Sequence, residues 1–344
     1  MRTIDAIKTG EVVARAFTEV GLSHDDAQLV ARLLVDSDLT GHPGHGIYRV
    51  SSYVRAVQSG TVDPHGSSHV IAEHSPQTIV VDGGASFGQV AADFTRREVG
   101  RRATVHGLCA ASLRNCGHVG RLADYVDALA DQGLIGLMMV NDAGANLVVA
   151  PPRSLEGRLG TNPLAFAVPR VQRPHLVMDF ATSTVSFGTL VMERRRGVAQ
   201  SNEPVKKGMV LEAFGGYKGF GLSLLVDILA GVLSQAGWSS TRDVPESQGV
   251  FMLGVDPEFF CGREYLRSAT DEIVEWITSA RTDDGIPPSI PGELGEAARR
   301  ASENRIDVDD ATWTELAAIL DELGIDAESE LPGQAPIQRA NASS

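Results

Sequence analysis

The stretch Gly41-His-Pro-Gly-His-Gly-Ile-Tyr-Arg49 places two imidazoles and a guanidinium close together in a Gly/Pro-punctuated loop. His45 titrates near neutral pH, and Arg49 carries a fixed planar charge suited to a carboxylate. Reduction of a small oxo acid needs that pair, a proton for the carbonyl oxygen and a clamp for the acid group. A helix predicted over Ile47 to Gln58 would put Arg49 and Tyr53, four residues apart, on one face. In the purely structural alternative His45 caps the helix entry, Arg49 is solvated and Tyr53 packs; spacing alone does not separate the two readings. His42 and His45 lack the neighbouring ligands a metal site requires, so no metal is predicted.

Three further stretches carry possible chemistry. Arg114-Asn-Cys-Gly-His118-Val-Gly-Arg-Leu122 joins a predicted strand to a helix, whose first amides, with Arg121, would suit a phosphate. Gly160-Thr-Asn-Pro163 and Met178-Asp-Phe-Ala-Thr-Ser183 offer hydrogen-bonding groups, and Asp179 at a strand end would accept ribose hydroxyls. In Gly216-Tyr-Lys218-Gly-Phe-Gly221 small neighbours would let an anion approach the lysine. Each also reads as an ordinary turn, cap or solvated lysine. No Gly-x-Gly-x-x-Gly follows a strand and no Walker-type loop is present, so the usual dinucleotide and P-loop signatures are missing.

The elements that must position these residues follow from periodicity. Two helices open the chain, the second started by Ser23 with acids in its first turn. The polar stretch Ser59 to Gln77, with His65, His69 and His74 read as surface residues, is the best boundary. Strand-like runs at 78–82, 108–113 and 134–140 alternate with helices at about 89–106 and 121–132. Runs at 164–168 and 176–180 follow too closely for crossover helices, which predicts a mixed, partly antiparallel sheet. Phe220 to Val232 reads as an apolar helix, 249–255 as a strand, Glu264 to Ser279 as a helix, and Ala311 to Leu323 as a last helix capped by Asp309 or Asp310. The predicted organisation is an N-terminal helical segment at 1–76, an α/β domain at 77–260, C-terminal helices at 261–326 packing with the N-terminal segment, and a disordered tail at 327–344.

A net charge of −14 without a basic stripe disfavours nucleic acid and makes each cation beside a site count. The run Glu193-Arg-Arg-Arg196 reads as a solvated face. Cys109, Cys116 and Cys261 are odd in number and lack metal spacing, and Cys109 reads as core. The N-terminus is charged where a signal peptide is apolar, and no run is long enough to span a membrane. The simplest reading is a cytoplasmic protein with no membrane partner.

Six ordered stretches together resemble the malate/L-lactate dehydrogenase family, which includes sulfolactate, ureidoglycolate and Δ1-piperideine-2-carboxylate-type reductases. They are Gly41-His-Pro-Gly-His-Gly to Arg49, Asn115 to Leu122, Gly160-Thr-Asn-Pro-Leu-Ala-Phe-Ala-Val-Pro169, Asp179-Phe-Ala-Thr-Ser183, Gly215-Gly-Tyr-Lys-Gly-Phe-Gly-Leu222 and Pro291-Gly-Glu293. The resemblance implies NAD- or NADP-dependent interconversion of a small 2-oxo or imino acid and its hydroxy or amino form. It also implies a non-Rossmann cofactor domain and a homodimer. His45 would be the proton donor and acceptor, with the anionic substrate held by Arg49, beside Tyr53 and Thr161. The cofactor would meet His118, Val119, Gly120, Arg121, Leu122, Asp179, Phe180, Ala181, Lys218 and the Pro291-Gly292-Glu293 turn.

Two positions depart from the family pattern. Gly44 and Pro43 stand where Ser and often Asp precede the histidine, with Ser51, Ser52 or water as substitutes for the missing hydroxyl. The segment from Val185 to Phe214 is short and lacks the usual Trp and Thr-Thr-Asp-Pro run. They motivate an alternative, a degenerate member that binds a dinucleotide without efficient turnover.

Overall fold

A computed structural model describes residues 1–143, 147–195, 210–241 and 247–334, without the side chains of 193–195. The run Glu193 to Arg196 therefore lies outside the described side chains, as does most of the 185–214 segment's second half. The chain begins with β1 (Arg2–Asp5), α1 (Ala6–Glu19), α2 (His24–Leu39) and α3 (Val50–Gln58). There follow β2 (His69–Ser75), β3 (Thr78–Ser86), α4 (Gly88–His106), β4 (Leu108–Cys116), α5 (Ala123–Ala130) and β5 (Ile135–Asp142). The middle holds β6 (Val149–Ala150), β7 (Leu164–Val168), β8 (Leu176–Phe180), α6 (Phe187–Arg195), β9 (Leu211–Glu212) and α7 (Tyr217–Val226). The chain continues through β10 (Gln248–Val255), α8 (Arg263–Thr278), α9 (Glu293–Ser302), β11 (Arg305–Val308), α10 (Asp310–Glu322) and α11 (Ala327–Glu330).

Two compact units result. The first comprises Met1–His65, Phe187–Glu203 and Leu294–Ser344. Several of its helices start on side-chain caps: Asp5 accepts from the Lys8 amide, Ser23 from Asp26 and Asp309 from Thr312. Phe17, Leu34, Ile47 and Leu316 fill its core. The N-terminal strand β1 pairs antiparallel with β11. Neither strand was legible as such, because each is only four residues long. Nor is residue 327 the start of disorder. α11 forms there, Ala327 and Leu331 are buried, and the Gln334 amide donates to the Thr3 carbonyl. These two buried apolar side chains outweigh the polar composition around them; residues 335–344 lie outside the described ones.

The second unit, Gly66–Ser186 and Pro204–Glu293, is an α/β body around a seven-stranded mixed sheet ordered β2-β3-β4-β10-β5-β7-β8. Within this sheet, among the described residues, only β3 and β4, joined by α4, run parallel and the other neighbouring pairs are antiparallel; β6 and β9 form a separate parallel pair. The β10 strand slots between β4 and β5, so strands that look adjacent along the chain are separated by one from much later. Leu113, Leu129, Leu134, Met138 and Met252 build the buried interior. The supposed boundary loop is partly sheet, since His69 and His74 lie on β2, an exposed edge strand. The apolar helix after Lys218 changes to a π-helical turn at Asp227–Val232. Among the described residues no helix is long and apolar enough to cross a membrane.

Candidate active site

In the first unit, α2 ends at Leu39 and the chain turns through two short 3-10 turns, Pro43–His45 and Ile47–Arg49, before α3. The expected continuous helix from Ile47 therefore begins at Val50, but Arg49 already has helical dihedrals and leads directly into it. The turn is tied by the His45 amide to the His42 carbonyl at 2.9 Å and the Gly46 amide to Pro43 at 3.1 Å. From below, the Asp38 carboxylate accepts the Ile47 amide at 2.7 Å. A methyl at Gly46 would fall inside both Asp38 oxygens, so only glycine lets the carboxylate come this close. His45 is half-buried. Arg49 Nε donates to the Gly44 carbonyl at 3.2 Å, and its guanidinium stands 4.8 Å from the Tyr48 ring. The acid and the clamp proposed from sequence thus share one hydrogen-bonded turn.

Tyr53 is placed otherwise. It is buried, its ring 6.4 Å from that of Phe17, so α3 packs it into the core of this unit. Ser51 Oγ donates to the Glu315 carbonyl and Ser52 Oγ to that of Arg49. Neither replaces the hydroxyl missing at Gly44. Among the described residues no cluster of His, Cys, Asp and Glu could hold a metal ion.

In the second unit, the loop from His118 to Leu122 is held internally. The Val119 amide donates to Gln248 Oε1 at 2.8 Å, and Tyr125 OH to the Val119 carbonyl at 2.6 Å. The start of α5, expected to receive a phosphate, is already capped by Asp179, whose Oδ2 accepts the Ala123 amide at 2.8 Å. Burial pushes the Asp179 carboxyl up to about 6, against the pull of that amide and of the Arg121 charge. Arg121 is ion-paired with Asp124 three residues on. A carboxylate of the chain itself thus meets the first amide of α5.

Thr161 and Asn162 form a turn in which Asn162 has φ +39°. The buried Thr182 hydroxyl staples it, donating to the carbonyls of Thr161 at 2.9 Å and Asn162 at 3.0 Å. Asn162 Nδ2 donates to the Ser223 carbonyl at 3.0 Å, which brings the turn against α7. Lys218 is exposed in the first turn of α7, behind Gly215 and Gly216, both at positive φ. Phe180 packs edge-on against Phe214 at 5.6 Å, and Ala181 is half-buried beside it. The Pro291 carbonyl accepts the Val177 amide at 3.3 Å, Gly292 lies against the His175 carbonyl, and Glu293 Oε2 accepts the Ile290 amide at 3.0 Å. Gln248, Thr182 and Tyr125 do the positioning; Thr182 lies in a stretch singled out from sequence, whereas Gln248 and Tyr125 carried no signal of their own.

A family model described as malate/L-lactate dehydrogenase matches residues 4–317. The chain belongs to the malate/L-lactate dehydrogenase family. It is an oxidoreductase of the CH–OH group. A malate dehydrogenase from Pyrococcus horikoshii is 34% identical over 294 residues, covering 78% of this chain and 80% of that protein. The solved structure of malate dehydrogenase from Pyrococcus horikoshii superposes with a TM-score of 0.85 at 31% identity, covering 94% of this chain and 96% of that one. A sulfolactate dehydrogenase from Methanocaldococcus jannaschii gives the same TM-score at 26% identity, covering 95% and 99%.

Proposed function

We propose that this chain interconverts a small 2-oxo acid, or a cyclic imino acid, and its 2-hydroxy or amino form, in the manner of its malate, lactate and sulfolactate relatives. One observation carries the reading: His45 and Arg49 stand on one turn, linked through the Gly44 carbonyl at 3.2 Å. His45 gives its proton to the substrate oxygen or nitrogen in reduction and recovers it in oxidation. Arg49 holds the carboxylate in two charge-assisted hydrogen bonds. Thr161, fixed by the Thr182 hydroxyl, supplies a further polar contact to the substrate.

A nicotinamide cofactor, when bound, supplies or takes the hydride at the substrate's C2. The residues present fit such a group. Lys218, framed by glycines at the start of a ten-residue helix, suits a phosphate, and buried Asn162 Oδ1 keeps an acceptor unused among the described residues. His118 to Gly120, Leu122, Phe180, Ala181 and Pro291 to Glu293 line the cofactor, in a domain without Rossmann topology. Arg121, the cation available for a 2′-phosphate, is committed to Asp124, which favours NAD over NADP. A homodimer is supported by the exposed apolar run of Leu224, Leu225, Ile228, Val232 and Leu233 along α7 and its π-helical extension. Free cysteines support a cytoplasmic setting.

The test is oxidation of NADH and NADPH across a panel of small 2-oxo and cyclic imino acids, with Arg49→Ala as control. The alternative, cofactor binding without turnover, is motivated by Gly44 and by the serines engaged elsewhere. Cofactor fluorescence titration separates the two: quenching with no oxidation of either nucleotide on any acid supports the alternative.

A further inference from the structure

The first turn of α6 lies against the turn that carries His45, and both belong to the first unit. The contact is backbone on backbone. A Cβ built on Gly44 would stand 2.9 Å from the Cα and the carbonyl carbon of Gly188, and one built on Gly188 would stand 2.9 Å from the Gly44 Cα. Cβ atoms essentially never come within 3.0 Å of another atom, and ordinary contact begins at 3.4 Å. Both glycines are buried, and neither has a positive φ. Backbone conformation therefore does not call for glycine at either position; the mutual approach does. Gly44 immediately precedes His45, and its carbonyl receives Arg49 Nε. Whatever moves Gly44 moves the acid and the clamp together.

We propose that Gly188 is a positioning residue: by meeting Gly44 with no side chain between them, it sets where the His45 imidazole and the Arg49 guanidinium stand. The proposal rests on the reading of His45 as proton donor. It also gives the absent serine hydroxyl a cause. With α6 in place, a side chain at residue 44 has no room, so Gly44 is one half of a steric fit and not a lesion.

The test compares Gly188→Ala, Gly44→Ala, their double variant, Leu190→Ala and His45→Asn in the full chain. An added methyl must part the two backbones by about 0.5 Å or more, and displacement on the ångström scale costs on the order of 100-fold in rate. Each glycine variant is expected to lose roughly 10- to 100-fold in kcat, with the KM for the cofactor unchanged. The double variant falls no more than about 3-fold below the worse single, because both break one contact. The His45 Cε1–H resonance and its titration midpoint shift in Gly188→Ala, a readout that loss of overall stability would not move. If the glycine variants do not fold, Leu190→Ala decides. Leu190 is buried on α6, and its truncation loosens the helix without adding bulk, so the same loss of kcat is expected. Wild-type kcat in folded Gly188→Ala, multiplicative losses in the double variant, or wild-type kcat in Leu190→Ala overturns the proposal. Wild-type turnover by His45→Asn instead removes the donor reading itself, whereas an inactive His45→Asn beside an unimpaired Gly188→Ala removes only the positioning role.

Discussion

Asp179 sits on β8 yet caps α5, with Oδ2 accepting the Ala123 amide at 2.8 Å. Burial raises its pKa from 3.8 to about 6. A carboxyl group that holds its proton more tightly in the folded chain than in the unfolded one stabilises the fold at low pH. That contribution is complete below about pH 4 and is lost as pH rises through about 6. The gap between 3.8 and about 6 corresponds to about 3 kcal/mol, and solvent reaching a half-buried carboxylate reduces this to about 1–2 kcal/mol. Asp179→Asn keeps an oxygen for the Ala123 amide and removes the ionisation. It is expected to match the wild type near pH 4 and to exceed it by about 1–2 kcal/mol near pH 7.5. Asp179→Ala loses the cap and costs about 1 kcal/mol near pH 4. Urea unfolding of the three proteins across this pH range measures both effects. A difference between wild type and Asp179→Asn that does not grow with pH would refute the view that burial governs this carboxyl.

Arg49→Lys, which trades a bidentate fork for a point charge, is expected to raise the KM for the oxo acid by about 10- to 100-fold with little change for the cofactor, as steady-state kinetics would show. Thr182→Val removes a buried hydroxyl that serves two carbonyls; a loss of about 1–3 kcal/mol in thermal unfolding and a raised KM for the oxo acid are expected. Against burial, the Arg263 guanidinium and the Glu258 amide hold the Asp256 carboxyl below its ordinary value. Its contribution is therefore present above about pH 4 and lost as pH falls further. Asp256→Ala should cost about 2–4 kcal/mol near neutral pH and progressively less in acid, measured by the same urea titration.

Local signals made much of this architecture legible. Ser23, Asp309 and the alternating apolar runs mark helix starts and most strands of the second unit correctly, because caps and period-two patterns act within a few residues. Pairings set by distant chain were not legible. Nothing in 248–255 says that it enters between β4 and β5, and nothing in Arg2–Asp5 announces β11 as its partner. At the candidate site, the closeness of His45 and Arg49 follows from their spacing, whereas the burial of Tyr53 beside Phe17 depends on how α3 packs and is not legible. The run ending in Arg121 looked like an anion site for a sound reason, a helix start with exposed amides. The first amide of that helix, on Ala123, is met by Asp179, from a strand 56 residues beyond it. Gly44 reads in the sequence as a departure from the family pattern, and its close approach to Gly188 is not legible there.

In the proposed reaction His45 supplies the proton while hydride reaches C2 of a small oxo acid. Single turnover of the wild type and His45→Ala with C4-deuterated NADH and NADPH tests it most directly, with cofactor binding followed by fluorescence in the same samples. Deuterium is expected at C2 of the wild-type product, and His45→Ala is expected to bind cofactor as tightly but to transfer the label at least about 100-fold more slowly. Label transfer at the wild-type rate by His45→Ala, or none by the wild type on any acid of the panel, would contradict it.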